Sequence, residues 1–277
     1  LFPAVKQTTV PNPMKLVDIG ANLTHQSFAH DLDQVITRAE SAGLAHIIIT
    51  GTDLESSAAA ADLARTRPAL FSCTAGYHPH VAAACSQRHF EEIVRLARQS
   101  NVVAVGETGL DFNRNYSPRE DQLRAFERHL QLAIEIEKPV FLHQRDAHGE
   151  FYKLLKKYRA EISGGVVHCF TDSESALAAY VELDMHVGIT GWICDEKRGS
   201  LLRSLVSQIP YDRLLVETDA PYLLPKTLHP KPNSRRNEPR YLGEILKTLS
   251  ACTGRSVRQL ARQQQLNAVA LFKLPLG

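Results

Sequence analysis

VVAVGE (102–107), PVFLH (139–143), GGVVH (164–168) and LLVETD (214–219) are four apolar runs, each ending in a side chain that can hold a divalent cation: Glu107, His143, His168 and Asp219. Runs so short and so rich in Val and Leu read as strands covered on both faces, as in parallel sheets. KLVDIG, HIIITG, LFSCTAG and MHVGIT share the pattern, and the eight runs end at Gly20, Gly51, Gly76, Glu107, His143, His168, Thr190 and Asp219. Successive ends lie 22 to 36 residues apart, room for one strand and one helix. Helical spacing fills the intervals, as in Leu32, Val35, Ile36, Ala39 and in Phe90, Ile93, Val94, Ala97. Ser117, Pro118 and Glu120 predict an N-cap, a first-turn proline and a capping-box acid ahead of the stripe Leu123, Phe126, Leu130. The fold class predicted is α/β, a (β/α)8 TIM barrel in a single domain over 14–277, whose strand ends converge on one mouth. An open doubly wound sheet competes, but no G-x-G-x-x-G turn follows the first run.

A chain of 277 residues, 44% hydrophobic, can bury a sizeable core. Its net charge of +2 supplies no global basic field, so attraction for an anionic substrate must come from a local patch. Five cysteines, without a C-x-x-C pair, argue against a secreted disulfide framework and for a reducing, cytoplasmic setting. No apolar stretch approaches the ~20 residues of a membrane-spanning helix. Residues 1–13, with three prolines, are expected to be a leader or non-native extension, irregular and apart from the barrel.

Hard carboxylates with borderline imidazoles suit magnesium, manganese or zinc, one or two ions, better than copper or calcium. Such a cation acidifies water and polarises a phosphoryl or carbonyl oxygen. Glu107 could bridge two ions, and Asp219 could ligate one and accept a proton, which makes these two the catalytic candidates. Taken singly, a strand-end histidine is more often scaffold than ligand, and a strand-end acid more often caps the next helix. Four of them on strands four, five, six and eight belong together.

GYHPH, GETGLDFNRN, FLHQRDAH, HCFT, GITGWICDEKRG, ETDAPYLLP and SRRNEP, in this order from Met14 to the carboxyl end, resemble the TatD family of metal-dependent deoxyribonucleases. The resemblance implies an amidohydrolase-type barrel that hydrolyses DNA phosphodiesters, often from the 3′ end and on single strands. It places Glu107, His143, His168 and Asp219 at the family's metal positions. Where many relatives carry D-x-H-x-H on the first strand, this chain reads Asp18-Ile19-Gly20-Ala21-Asn22, so both histidines of one metal position are missing. One ion on Glu107, His143 and His168 is therefore expected, and a second on Glu107 and Asp219 would need water or the substrate phosphate to complete its shell.

The resemblance also points His78 of GYHPH at the substrate phosphate, against the plainer reading of a loop-ordering histidine beside Pro79. Arg145 and Asp146 either orient His143 or touch phosphate. The segment 224–240, expected to lie over the mouth, holds Lys226, Lys231, Arg235, Arg236 and Arg240 against the single acid Glu238. Arg235 and Arg236 are its candidate phosphate contacts, an ordinary solvated loop being the alternative. Trp192 and Tyr222 could stack on bases, or simply pack. Cys169 is expected to face away from the mouth, since neighbours on a strand alternate. DNA is the expected partner, with no membrane and no obligate protein partner. Two rivals remain: a barrel amidohydrolase for a small ester, amide or lactone, and a non-catalytic barrel that has lost its ligands.

Overall fold

Each of the eight apolar runs forms a strand: β1 (Leu16–Ala21), β2 (Leu44–Ile49), β3 (Phe71–Ala75), β4 (Val102–Asp111), β5 (Val140–Arg145), β6 (Gly165–Val167), β7 (His186–Ile189) and β8 (Leu214–Val216). The computed structural model describes residues 14–276, and the expected extension 1–13 lies outside the described residues. All seven neighbouring strand pairs are parallel, in the order β1 to β8. Helices α1 (Leu32–Ser41), α2 (Leu54–Thr66), α3 (Gln87–Ala97), α4 (Arg119–Glu135), α5 (His148–Tyr158), α6 (Glu174–Glu182), α7 (Ser200–Leu205), α8 (Leu242–Thr253) and α9 (Val257–Phe272) alternate with the strands. The architecture is the α/β TIM barrel in a single domain.

The ring closes between β8 and β1 through a parallel bridge, Ala21 to Ala220. Beside it the Asp219 N–H donates to Gly20 O at 2.8 Å, and the Asn22 N–H to Ala220 O at 2.7 Å. A side-chain latch reinforces the seam: Asp18 accepts from the Thr218 N–H at 2.9 Å and from its hydroxyl at 2.5 Å. Asp18 is fully buried, and burial pushes its carboxyl up to about 7.

An apolar layer fills the barrel interior: Val17 and Ile19 from β1, Ile48 from β2, Ala104 from β4, Phe141 from β5, Val166 from β6 and Leu215 from β8, with Ala268 and Phe272 of α9 packed against them. Strand side chains alternate, so two residues further along each strand the same inward face continues toward the mouth. That step leads from Phe141 to His143, from Val166 to His168 and from Leu215 to Glu217.

On β4 the step from Ala104 would reach Gly106, and a bulge changes the outcome. The register of β4 on β5 shifts between Val105 and Thr108. Gly106 and Gly109 adopt φ of 143° and 140°, and a Cβ there would lie 2.2 Å from the Phe141 carbonyl oxygen and 1.9 Å from that of His143. Only glycine permits both the backbone angle and the approach. The extra residue thus carries Glu107 to the mouth.

Two local expectations are corrected. Helix α4 is capped by Pro118 and carries no side-chain cap bond. Ser117 is buried and spends its hydroxyl on the neighbouring 3-10 turn Pro79–Ala84, donating to His80 O at 2.9 Å and accepting from the Ala83 N–H at 3.1 Å. Arg236 is held by one acid distant in sequence and one beside it: its guanidinium donates to both Asp31 oxygens at 2.7 Å, to Ser27 O at 2.6 Å and to Glu238 at 3.0 Å. Arg38 joins from α1, donating to Glu238 at 2.8 and 3.0 Å. This cluster fastens the long post-β8 segment to the start of α1.

Two outcomes follow. Gly109→Ala should lower unfolding stability in urea by more than about 2 kcal/mol, whereas Gly149→Ala, in α5 with nothing within 4 Å of the new methyl, should gain up to about 1 kcal/mol. The hydrogen bonds from Arg236 hold Asp31 down to about 2, against an ordinary value of 3.8. Its stabilisation is therefore present above pH 4 and lost as pH falls toward 2. The difference in unfolding free energy between wild type and Asp31→Asn should shrink across that window, and a constant difference would contradict the assignment.

Candidate metal centre and its surroundings

Glu107, only 4% exposed, gathers imidazoles around one carboxylate oxygen. His168 Nε2 lies 2.7 Å from Oε1, His143 Nδ1 3.1 Å and His78 Nε2 3.3 Å. Burial alone would raise the Glu107 carboxyl, but the charge of His168 and the bonds from His143 and His168 outweigh it and hold it well below the usual range. Conversely, burial would depress His168, yet Glu107 and then Glu217 hold it well above 6.5. His143 is raised in the same way, burial being overcome by Asp111 and Glu107.

Ligand atoms of His78, Glu107 and His143 all lie within 4.8 Å of one another. The hydrogen bonding of His78 nevertheless sets it apart. Its Nδ1 accepts the His80 backbone N–H at 3.0 Å, and burial pushes its pKa down to about 4, so the ring is neutral with its proton on Nε2. To ligate through Nε2 the ring would have to move that proton to Nδ1, where it would face the His80 N–H. His143 and His168 instead turn toward Glu107 nitrogens that a cation can claim, since the opposite nitrogen of each faces a carboxylate: Asp111 Oδ2 at 3.5 Å from His143 Nε2, and Glu217 Oε2 at 3.5 Å from His168 Nδ1.

The chemistry of this donor set fits a divalent cation, with one hard carboxylate and two borderline imidazoles. Two buried polar atoms here also lack a hydrogen-bond partner, His143 Nε2 and Glu217 Oε2. A buried carboxylate oxygen without a donor is a site with negative charge to spare.

Asp219 stands beside this group. It adopts a left-handed backbone, φ 53°, as do Asp146 and Cys169 after β5 and β6, so the chain turns sharply where these strands meet the mouth. The Asn22 amide donates to Asp219 Oδ1 at 3.1 Å and to Ala220 O at 3.3 Å. Burial, with Glu107 and Glu217 adding to it against His168, lifts the Asp219 carboxyl to about 7. The missing first-strand histidines thus have a structural counterpart. Asn22 tethers Asp219, and the room at Gly20 is taken by Glu217, whose Oε2 would lie 2.5 Å from a Cβ there.

Glu217 is the residue that the sequence reading passed over. It is fully buried, accepts the Cys169 N–H at 2.6 Å, and lies between Gly20 and Gly188. Its signal was the period-two step from the inner layer, Leu215 to Glu217. Cys169 also departs from expectation: β6 ends at Val167 and the left-handed turn at Cys169 breaks the alternation. Its thiol lies 3.6 Å from the Thr190 hydroxyl, and burial, then the charge of Asp219, pushes it up to about 12. It is no nucleophile at neutral pH.

The remaining candidates lie at the rim. Arg145 and Arg235 are exposed, and neither forms an ion pair among the described residues. Asp146 accepts the Asn113 amide at 2.6 Å. Lys226 is paired with Asp195 at 2.7 Å, and Arg236 with Asp31 and Glu238. The Trp192 indole N–H donates to Arg198 O at 3.0 Å with that arginine over its face, while Tyr222, 51% exposed, meets His25 edge-on.

Comparison with known proteins identifies the family to which this barrel belongs. The family model described as TatD related DNase matches residues 17–273. A Salmonella typhimurium protein named 3'-5' ssDNA/RNA exonuclease TatD is 47% identical over 259 residues, 94% of this chain and 99% of that protein. Among solved structures, the TatD homologue YjjV from Escherichia coli superposes with a TM-score of 0.86 at 27% identity, covering 95% of this chain and all of that one. A TatD family hydrolase from Entamoeba histolytica gives 0.84 at 28% identity, covering 94% and 98%. With the matched segment spanning the whole barrel and every strand end that lines its mouth, the chain belongs to the TatD family of deoxyribonucleases.

Proposed function

We propose that this protein is a metal-dependent 3′-5′ exonuclease that hydrolyses phosphodiester bonds of single-stranded DNA, with RNA within its reach, at a cation held by Glu107, His143 and His168. The observation that carries the reading is the convergence of His143 Nδ1 and His168 Nε2 on Glu107 Oε1 at the barrel mouth. The nuclease family, and not the chemistry alone, decides against a small ester, amide or lactone, since the same donors would polarise a carbonyl equally well. The family weighs in the same way against a barrel stripped of its ligands, and the approach of His143 and His168 to Glu107 supports the same reading. The five unpaired thiols suit a reducing compartment, the cytoplasm, and no helix among the described residues is long and apolar enough to cross a membrane.

When bound, a divalent cation supplies positive charge against the phosphoryl oxygens and lowers the pKa of water beside it. The chain's own residues do the rest. Asp219, with Oδ1 tied to Asn22, has Oδ2 left to take the proton of the attacking water, and its carboxyl near neutrality is matched to that work. His78, neutral and carrying its proton on Nε2, donates toward a phosphate oxygen without adding a charge that would compete for Glu107. Tyr222 presents an exposed ring on which a terminal base can stack whatever its sequence. Arg235 and Arg145, exposed at the rim, meet the backbone further along the strand.

Glu107→Gln and His168→Ala should each reduce kcat/KM on single-stranded DNA by more than the about 10–100-fold typical of partners one bond further out. Full activity in either variant under limiting manganese would reject the site. Arg235→Ala should leave thermal stability unchanged while weakening DNA binding and reducing the salt slope of the affinity by about 1. Arg236→Ala should instead lower stability, because its guanidinium is bound to Asp31 and Glu238. A reversed pattern in melting and salt-titration experiments would exchange their roles.

A further inference from the structure

Asp111, at the end of β4, is 1% exposed and lies where two histidines meet. Its Oδ2 takes His80 Nε2 at 2.7 Å and stands 3.5 Å from His143 Nε2, a buried nitrogen with no hydrogen-bond partner. Its Oδ1 accepts backbone N–H groups from Asn113 at 3.0 Å and Arg114 at 2.8 Å. The backbone of Asp111 is itself held by a buried side chain: its N–H donates to Gln122 Oε1 at 2.8 Å, and Gln122 Nε2 donates to its carbonyl at 3.2 Å. One carboxylate is therefore fixed on one side by the loop after β4 and helix α4, and on the other offers a single oxygen to two imidazoles.

We propose that Asp111 is a positioning residue of the hydrolytic centre, whose carboxylate receives the Nε2–H of His143 and thereby commits Nδ1 of that ring to the cation. The inference rests on the reading that His143 is a ligand. Its physical basis is the arithmetic of an imidazole. A neutral ring has one N–H and one lone pair, so an acceptor fixed at Nε2 makes Nδ1 the lone-pair nitrogen. Without the acceptor both tautomers are open, and the ring can rotate away from Glu107. At 3.5 Å the two atoms lie just outside hydrogen-bond length, and the bond is made when a cation claims Nδ1. His80 occupies the same oxygen from the outer side and keeps the carboxylate turned toward the mouth, with the exposed Tyr116 ring edge-on against it at 4.8 Å.

Asp111→Asn separates this role from scaffolding. The asparagine Oδ1 can still accept from Asn113 and Arg114, but the amide nitrogen facing the imidazoles donates and cannot accept. Calorimetric titration of the full chain with Mn2+ should show affinity reduced tenfold to hundredfold, with the melting temperature of the metal-free protein close to that of wild type. Activity measured with saturating metal should recover most of kcat. His143→Ala serves as the reference. If it loses Mn2+ binding while Asp111→Asn binds as wild type does, the positioning role is overturned and the ligand set stands. If His143→Ala itself binds Mn2+ at wild-type affinity, the ligand reading fails and takes this inference with it. A second measurement needs no variant: in the Zn2+-loaded wild-type protein, 15N-detected imidazole correlations should show the His143 proton on Nε2. A proton on Nδ1 would overturn the proposal even if Asp111→Asn proved too unstable to study.

Discussion

A carboxylate withdrawn from water at the mouth of a barrel must be surrounded by positive charge or by donors, because an unpaired buried charge costs several kcal/mol. Glu107 is such a group, and the site is arranged to answer it. His143, His168 and His78 reach one of its oxygens, while Asp111 and Glu217 stand behind the first two rings. Alternating carboxylate and imidazole in this way leaves net negative charge inside, which a divalent cation neutralises. The same alternation separates His78, whose outward nitrogen is a backbone acceptor and whose inward one is a donor, from the rings that can ligate.

The scaffold delivers these groups by two devices of different kinds. Strand periodicity alone places His143, His168 and Glu217 one layer above Phe141, Val166 and Leu215. Glu107 arrives by an exception to that periodicity, a bulge that only Gly106 and Gly109 allow. Closure of the ring by Asp18 and Thr218 then fixes β8 against β1, so that Asp219 and Asn22 can touch. The absence of first-strand histidines is thus part of a consistent design, with Glu217 in the room at Gly20 and Asn22 restraining the aspartate.

The barrel was legible in the sequence because eight strand-like runs at strand-plus-helix spacing leave little choice of topology. Glu107, His143 and His168 were legible as strand-end ligand types. What was not legible depended on contacts between distant residues or on backbone angles. Arg236 reads as a free cation in its own segment, and its acid, Asp31, lies 205 positions away. Ser117 looks like a helix cap until the His80 carbonyl is seen beside it. Cys169 was placed by strand alternation, which fails once the backbone turns left-handed. Glu217 lies two residues on from Leu215 on the same inward face, a period-two signal present in the sequence beside the ligand-type Asp219.

The most direct measurement is anomalous diffraction at the manganese edge from crystals soaked in MnCl2. The account predicts a peak at the barrel mouth bonded by a Glu107 oxygen, His143 Nδ1 and His168 Nε2, with His78 outside the coordination sphere. A fully soaked crystal with no peak there, or a peak held by other side chains, would contradict it.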